Sequence, residues 1–299
     1  MFEKGNNNCD FNVGLQGACE GGHRDLVDMM IERGANDWNS GLKGACEGGH
    51  VDLVMLMIER DAHCWNWGLK GACLGGHLDI VNLMMEKGAN YWNWGLWDAC
   101  LGGHLDLVML MIERGATDWN IGLENACQGG HCDIVMLMID RGANKWGWGL
   151  KGACRGGHLD LAMMMIERGA HGWNAGLSRA CEGGHLDLVM LMIDRGADNW
   201  NQGLECACEG GHLDIVKLMI NHVGQNQNAL CWTRGIQNAS MKGYRDIVDM
   251  MIEHGVVSPD ACPVAALRVT RVVSILASFG LALTSAYLAA RAYRRAGCK

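Results

Sequence analysis

The sequence predicts an all-α solenoid of stacked helix hairpins, lacking long β-hairpin fingers and ending in a C-terminal apolar helix. The first observation is a 27-residue period: Cys19, Cys46, Cys73, Cys100, Cys127, Cys154, Cys181 and Cys208 keep that step, and so do the histidines His23 to His212 and the tryptophans Trp38 to Trp200. A fixed period of this size is the signature of stacked units that each touch only their neighbours. The second is that every regular unit holds two apolar stretches with helical spacing, separated by Gly-Gly-His. The third is punctuation: Pro259 and Pro263 are the only prolines, while 43 glycines supply the turns of a short repeat.

Gly41 to Trp67 serves as the specimen unit. Leu42, Ala45 and Cys46 fall at i, i+3 and i+4 and predict the buried stripe of a short first helix from Leu42 to Glu47. Lys43, Gly44 and Glu47 project from its other side. Gly48-Gly49-His50 turns the chain, and a second helix runs from Val51 to about Arg60, with Asp52 in its first turn and Arg60 in its last to oppose the helix dipole. Leu53, Val54, Leu56, Met57 and Ile58 make that helix apolar over more than half its circumference, as a helix sandwiched between two hairpins requires. Most units close on Gly-Ala, as at Gly34-Ala35, where glycine suits a left-handed cap; Asp61 stands there in the second full unit and predicts strain. Trp65-Asn66 then leads into the next helix, with the tryptophan burying area between neighbours.

Along the chain this gives a lead-in at 1–13, an array at 14–256 and a linker with an apolar helix at 257–299. The array holds eight regular units and a ninth, degenerate one after an insertion at about 221–234, in which Ser240 replaces the cysteine and Tyr244 the histidine. Residues 263–299 carry six basic side chains and no acid, which leaves the remainder with 19 basic against 33 acidic residues, 14 net negative. Such a body repels phosphate backbones and argues against nucleic acid. Eight of the fifteen cysteines occupy one equivalent position, and Met1 to Asp10 carries asparagine and charge instead of a secretory apolar stretch. Both point to reduced thiols in a cytoplasm.

The unit Leu-x-x-Ala-Cys-x-Gly-Gly-His-x-Asp-Leu-Val-x-Leu-Met-Ile-Glu-Arg-Gly-Ala resembles the helix pair of an ankyrin repeat. Leu42 matches the leucine of that family's Thr-Pro-Leu-His signature, Ala45-Cys46 its paired alanines, Gly49-His50 its Gly-His, Leu53-Val54 its apolar pair and Gly88-Ala89 its closing Gly-Ala. Two departures stand out. Six residues are missing between Gly-Ala and the first helix, where the family has its finger, and the signature is reduced to Gly-Leu, as at Gly68-Leu69. The resemblance implies protein binding. Short Trp-Asn-rich units of this kind also resemble those expanded in large DNA viruses of amoebae, which implies a viral protein acting on a host partner.

The Cys-x-x-x-His pairs invite a zinc reading, yet the cysteine replaces a buried alanine of the family and the histidine follows a turn, so small hydrophobe and hydrogen-bonding group are the favoured roles and no metal or other cofactor is expected. Catalysis needs one differentiated pocket, whereas every Cys, His and Asp here recurs in near-identical copies, so no catalytic residue, enzyme activity or small-molecule substrate is expected.

Variation on the repeated scaffold is where specificity can reside. The outward first-helix pairs begin Gln16/Glu20, Lys43/Glu47, Lys70/Leu74 and Trp97/Leu101, and the third and fourth units are the apolar exception. Trp67 and Trp94, just before these helices, add aromatic surface, with Tyr91 close by, and the set Trp67, Lys70, Leu74, Tyr91, Trp94, Trp97 and Leu101 is the candidate protein-binding surface. The alternative is that these side chains fold over the missing-finger gap and pack; Asp98 beside Trp97 points toward an exposed setting. Val272 to Ala290 is a second differentiated region, nineteen residues without a charge that include Val272, Leu276, Phe279, Leu283 and Leu288, between Arg268/Arg271 and Arg291/Arg294/Arg295. It is long enough to span a bilayer as a tail anchor, and its serines and threonine fit a helix covering the last repeat equally well. The class that competes with an adaptor is a membrane-associated structural or self-assembling repeat protein.

Overall fold

The computed structural model describes residues 8–223 and 229–254, which fall into two units divided between His171 and Gly172. Among the described residues all regular structure is helical, in eighteen helices joined by short turns. In the first unit these are α1 (Asn8–Glu20), α2 (Arg24–Glu32), α3 (Trp38–Gly48), α4 (Val51–Glu59), α5 (Trp65–Gly75), α6 (Leu78–Glu86), α7 (Trp92–Gly102), α8 (Leu105–Glu113), α9 (Trp119–Gly129), α10 (Cys132–Asp140), α11 (Trp146–Gly156) and α12 (Leu159–Glu167). The second unit holds α13 (Trp173–Gly183), α14 (Leu186–Asp194), α15 (Trp200–Gly210), α16 (Leu213–Val223), α17 (Ala229–Lys242) and α18 (Arg245–His254). Each first helix packs on its own second helix and on the first helices before and after it within its unit.

The buried stripe is the one the spacing predicts. Leu42, Ala45 and Cys46 of α3 and Leu53, Val54 and Met57 of α4 are 0–1 % exposed, and the same positions are buried in the later regular pairs, whereas in α2, at the end of the array, only Val27 is buried and Leu26 is exposed. Burial pushes the Cys46 thiol up to about 12, so it packs as a neutral small side chain.

The first helices begin one turn earlier than the apolar pattern indicates, at the tryptophan rather than at the leucine. The asparagine that follows the tryptophan in most units reaches the next repeat. Asn39 Oδ1, on α3, accepts from the backbone N–H groups of His63 and Cys64, both at 2.9 Å, which lead into α5. Asn12, Asn66, Asn93 and Asn120 make the same pair of bonds one repeat onward, and Asn174 does so in the second unit. One side-chain oxygen thus satisfies two loop amides that would otherwise be left without a protein partner where the finger is missing. The tryptophan before it lies half-buried under the arginine that ends its own hairpin: Arg60 over Trp38 at 5.5 Å, Arg114 over Trp92 at 6.0 Å.

The Gly-Gly-His turn is an inter-repeat joint. A Cβ on Gly48 would collide with the carbonyl oxygen of Glu20 on α1, and Gly49, at φ 79°, sits under the ring of His77 from the next repeat. His50 Nε2 donates to that same Glu20 carbonyl at 3.2 Å, and His77, His104, His131 and His158 repeat the bond thirty residues back at 3.0–3.1 Å. The histidine bond is therefore made between repeats, not locally within the turn. Asp61 is the one described non-glycine residue with positive φ, 74°, in line with the strain its position predicts.

In the second unit the degenerate pair keeps the joint with different groups. The Tyr244 ring covers Gly211 where a histidine ring lies elsewhere, and Trp232 Nε1 donates to the Met251 carbonyl at 3.1 Å. No described helix is long and apolar enough to cross a membrane, and Val272 to Ala290 lies outside the described residues.

Candidate functional site

Outward positions of the first helices form two parallel rows. One row runs Gln16, Lys43, Lys70, Trp97 and the other Ser40, Trp67, Trp94, so the lysine pair and the tryptophan pair are offset by one repeat. Together these seven residues line a surface cleft of about 520 Å³ across α1, α3, α5 and α7. Trp67 and Trp94 lie inside α5 and α7, not ahead of them, because those helices start at Trp65 and Trp92. Trp67 is 43 % exposed, and Tyr91 stands at the rim, 51 % exposed, edge-on to Trp94 at 4.9 Å.

Leu74 and Leu101 are not part of the cleft lining. Both are half-buried near the ends of α5 and α7, and their backbone carbonyls accept from His104 and His131. Trp97 is half-buried, and its Nε1 is enclosed without a hydrogen-bond partner. The predicted set therefore divides: Trp67, Lys70, Trp94 and Trp97 converge with Lys43, Tyr91 borders them, and the two leucines lie outside the cleft lining.

Asp98 is the largest departure from the sequence reading. It is 7 % exposed, not open to water. Its register explains why. Gly44, Gly71 and Gly152 occupy this position in α3, α5 and α11, where a Cβ would press on the carbonyl of Gln16, Lys43 or Glu124 in the first helix before. In α9 the position is Asn125, whose Nδ2 donates to the Trp97 carbonyl at 3.0 Å. Asp98 thus sits in the seam between α5 and α7, where an amide would be satisfied and a carboxylate is not. Its Oδ2 has no hydrogen bond; Lys70 Nζ lies 3.9 Å away. Burial pushes the Asp98 carboxyl up to about 6, against the pull of Lys70 and Lys43, with Glu47 adding to the rise.

The repeated cysteines and histidines engage opposite neighbours. The Cys46 sulfur lies toward Gly68 of the following repeat, while the His50 ring lies on Gly22 and the Glu20 carbonyl of the preceding one. A thiol held protonated and an imidazole committed to a carbonyl do not converge on a common point, so the pair does not make a two-ligand metal site.

The helix pairs, their joints and the outward first-helix surface define an all-helical repeat scaffold of the solenoid class. Within it, residues 177–261 match the family model described as ankyrin repeats in three copies, and the helix pairs before that span repeat the same unit. Ankyrin repeats form protein–protein interaction scaffolds and are typically non-catalytic. None of the curated proteins compared with the chain matches it.

Proposed function

We propose that the chain is a non-catalytic interaction scaffold that captures a protein partner in the cleft lined by Lys43, Trp67, Lys70, Trp94 and Trp97. The observation that carries this reading is the concentration of aromatic surface at one place on an otherwise repeated framework: adjacent tryptophans at 67 and 94, with the former 43 % exposed, beside adjacent lysines. Exposed aromatic side chains around a concavity are the usual anchors of protein recognition. The likeness to viral repeats makes a host protein the class of partner. Partner capture is expected from wild-type chain and not from Trp67→Ala/Trp94→Ala of equal helicity. Capture of the same protein by both would refute the reading.

A second reading rests on a separate row. Val51, Leu78, Leu105 and Leu159, at the starts of the second helices, are 39–46 % exposed, and Met55 and Met136 extend the row. An apolar ladder of this kind supports self-association. Sedimentation of wild type against Leu78→Lys/Leu105→Lys tests it: an oligomer that the variant dissolves supports assembly, and a wild-type monomer at high concentration rules it out.

A further inference from the structure

We infer that the cleft takes an acidic, proline-rich segment in the polyproline II conformation, its carboxylates on Lys43 and Lys70 and its prolines on Trp67 and Trp94. This rests on the reading of the cleft as the docking site and names the chemistry of what docks. Lys43 and Lys70 are the one place where adjacent first helices both carry a cation at this outward position; the row otherwise reads Gln16, Trp97, Glu124, Lys151, Ser178 and Glu205. No acid lines the cleft. Glu47 and Asp98 are ion-paired with Lys43 and Lys70, with Nζ to carboxylate distances of 3.7 and 3.9 Å that are too long for hydrogen bonds, so the ammonium protons remain to donate to an anion. The chain before residue 263 is net negative, so two lysines on neighbouring first helices are a distinctive feature for an anion.

Spacing selects the conformation. Neighbouring first helices pack roughly 8–10 Å apart, which separates the two lysines by about one turn of polyproline II, with three residues at about 3.1 Å each. Residues i and i+3 of that helix share a face, so acids at every third position meet successive lysines, and the prolines between them lie against the indole rings. In a β-strand, i and i+3 point to opposite faces.

The test uses the full chain and three labelled synthetic peptides: repeated Glu-Pro-Pro, repeated Lys-Pro-Pro and repeated Glu-Pro. Fluorescence anisotropy reads affinity, and quenching of tryptophan emission reads contact with the indoles. Glu-Pro-Pro should bind at least about tenfold tighter than either control, and Lys43→Gln/Lys70→Gln should lose about tenfold or more, since each charge-assisted contact is worth roughly that factor. Circular dichroism establishes that the variant is folded. Equal binding of Lys-Pro-Pro or Glu-Pro, undiminished binding by the lysine variant, or no binding of Glu-Pro-Pro would overturn the inference. If Glu-Pro-Pro fails while capture of a partner still depends on Trp67 and Trp94, the ligand chemistry falls and the docking site stands. If capture is also indifferent to the two tryptophans, the underlying reading falls with it.

Discussion

Replacing Asp98 with asparagine should stabilise the protein at neutral pH. The carboxyl sits in the α5–α7 seam at 7 % exposure, with Oδ2 unbonded and Lys70 3.9 Å away. Asn125, at the same register one repeat later, shows what the position accommodates: an amide that donates 3.0 Å to the carbonyl of the preceding first helix. Holding the carboxyl at about 6, up from its ordinary 3.8, costs the folded state about 3 kcal/mol at neutral pH. Because the folded value is the raised one, this group favours folding fully below about pH 4, and the benefit is lost as pH rises through 6. The substitution removes the charge, so the gain should be about 1–3 kcal/mol at pH 7.5 and near zero at pH 4, with the difference between variant and wild type disappearing across that window. Urea unfolding followed by circular dichroism at the two pH values measures it. A variant less stable than wild type at pH 7.5, or a gain of the same size at pH 4, would refute the reasoning.

Three further expectations concern the framework. Asn93→Ala leaves the amides of Thr117 and Asp118 without their acceptor and should cost about 1–2 kcal/mol, read as a lowered urea midpoint. Asp61→Gly relieves a side chain held at φ 74° and should raise stability by up to about 1 kcal/mol; a loss would show that Asp61 makes a favourable interaction that outweighs its strain. The repeated thiols, such as Cys73 and Cys100, are buried and strongly resist ionisation, while Cys132 is exposed. A thiol reagent at pH 8 should therefore modify Cys132 rapidly in the folded chain and the repeated positions only on unfolding, which mass spectrometry can follow.

The fold was legible because the repeat multiplies weak signals. A single Leu-x-x-Ala-Cys stripe is ambiguous, but the same stripe renewed at a fixed step, with a glycine pair between two helical patterns, leaves little besides stacked hairpins. Helix starts were less legible, since Trp65 and Asn66 lie off the apolar stripe, and Asn66 bonds one repeat away, to Asn90 and Tyr91. The same limit applies to His50, whose partner Glu20 is thirty residues distant. At the proposed site, residue types alone picked out Trp67, Lys70, Trp94 and Trp97, whereas Lys43 joins them through the parallel rows and Leu74 and Leu101 lie outside the cleft lining. Asp98 misled because a charge normally marks a solvated face. The signal that would have found it is the glycine at 44, 71 and 152, which marks a register where successive helices touch.

A photo-crosslinking amino acid placed in turn at position 67, in the cleft, and at position 105, on the ladder of the second helices, tests the central claim most directly. With a bound partner the account predicts an adduct from position 67, suppressed by excess Glu-Pro-Pro peptide, and none from position 105. An adduct from position 105 with none from position 67 would contradict it.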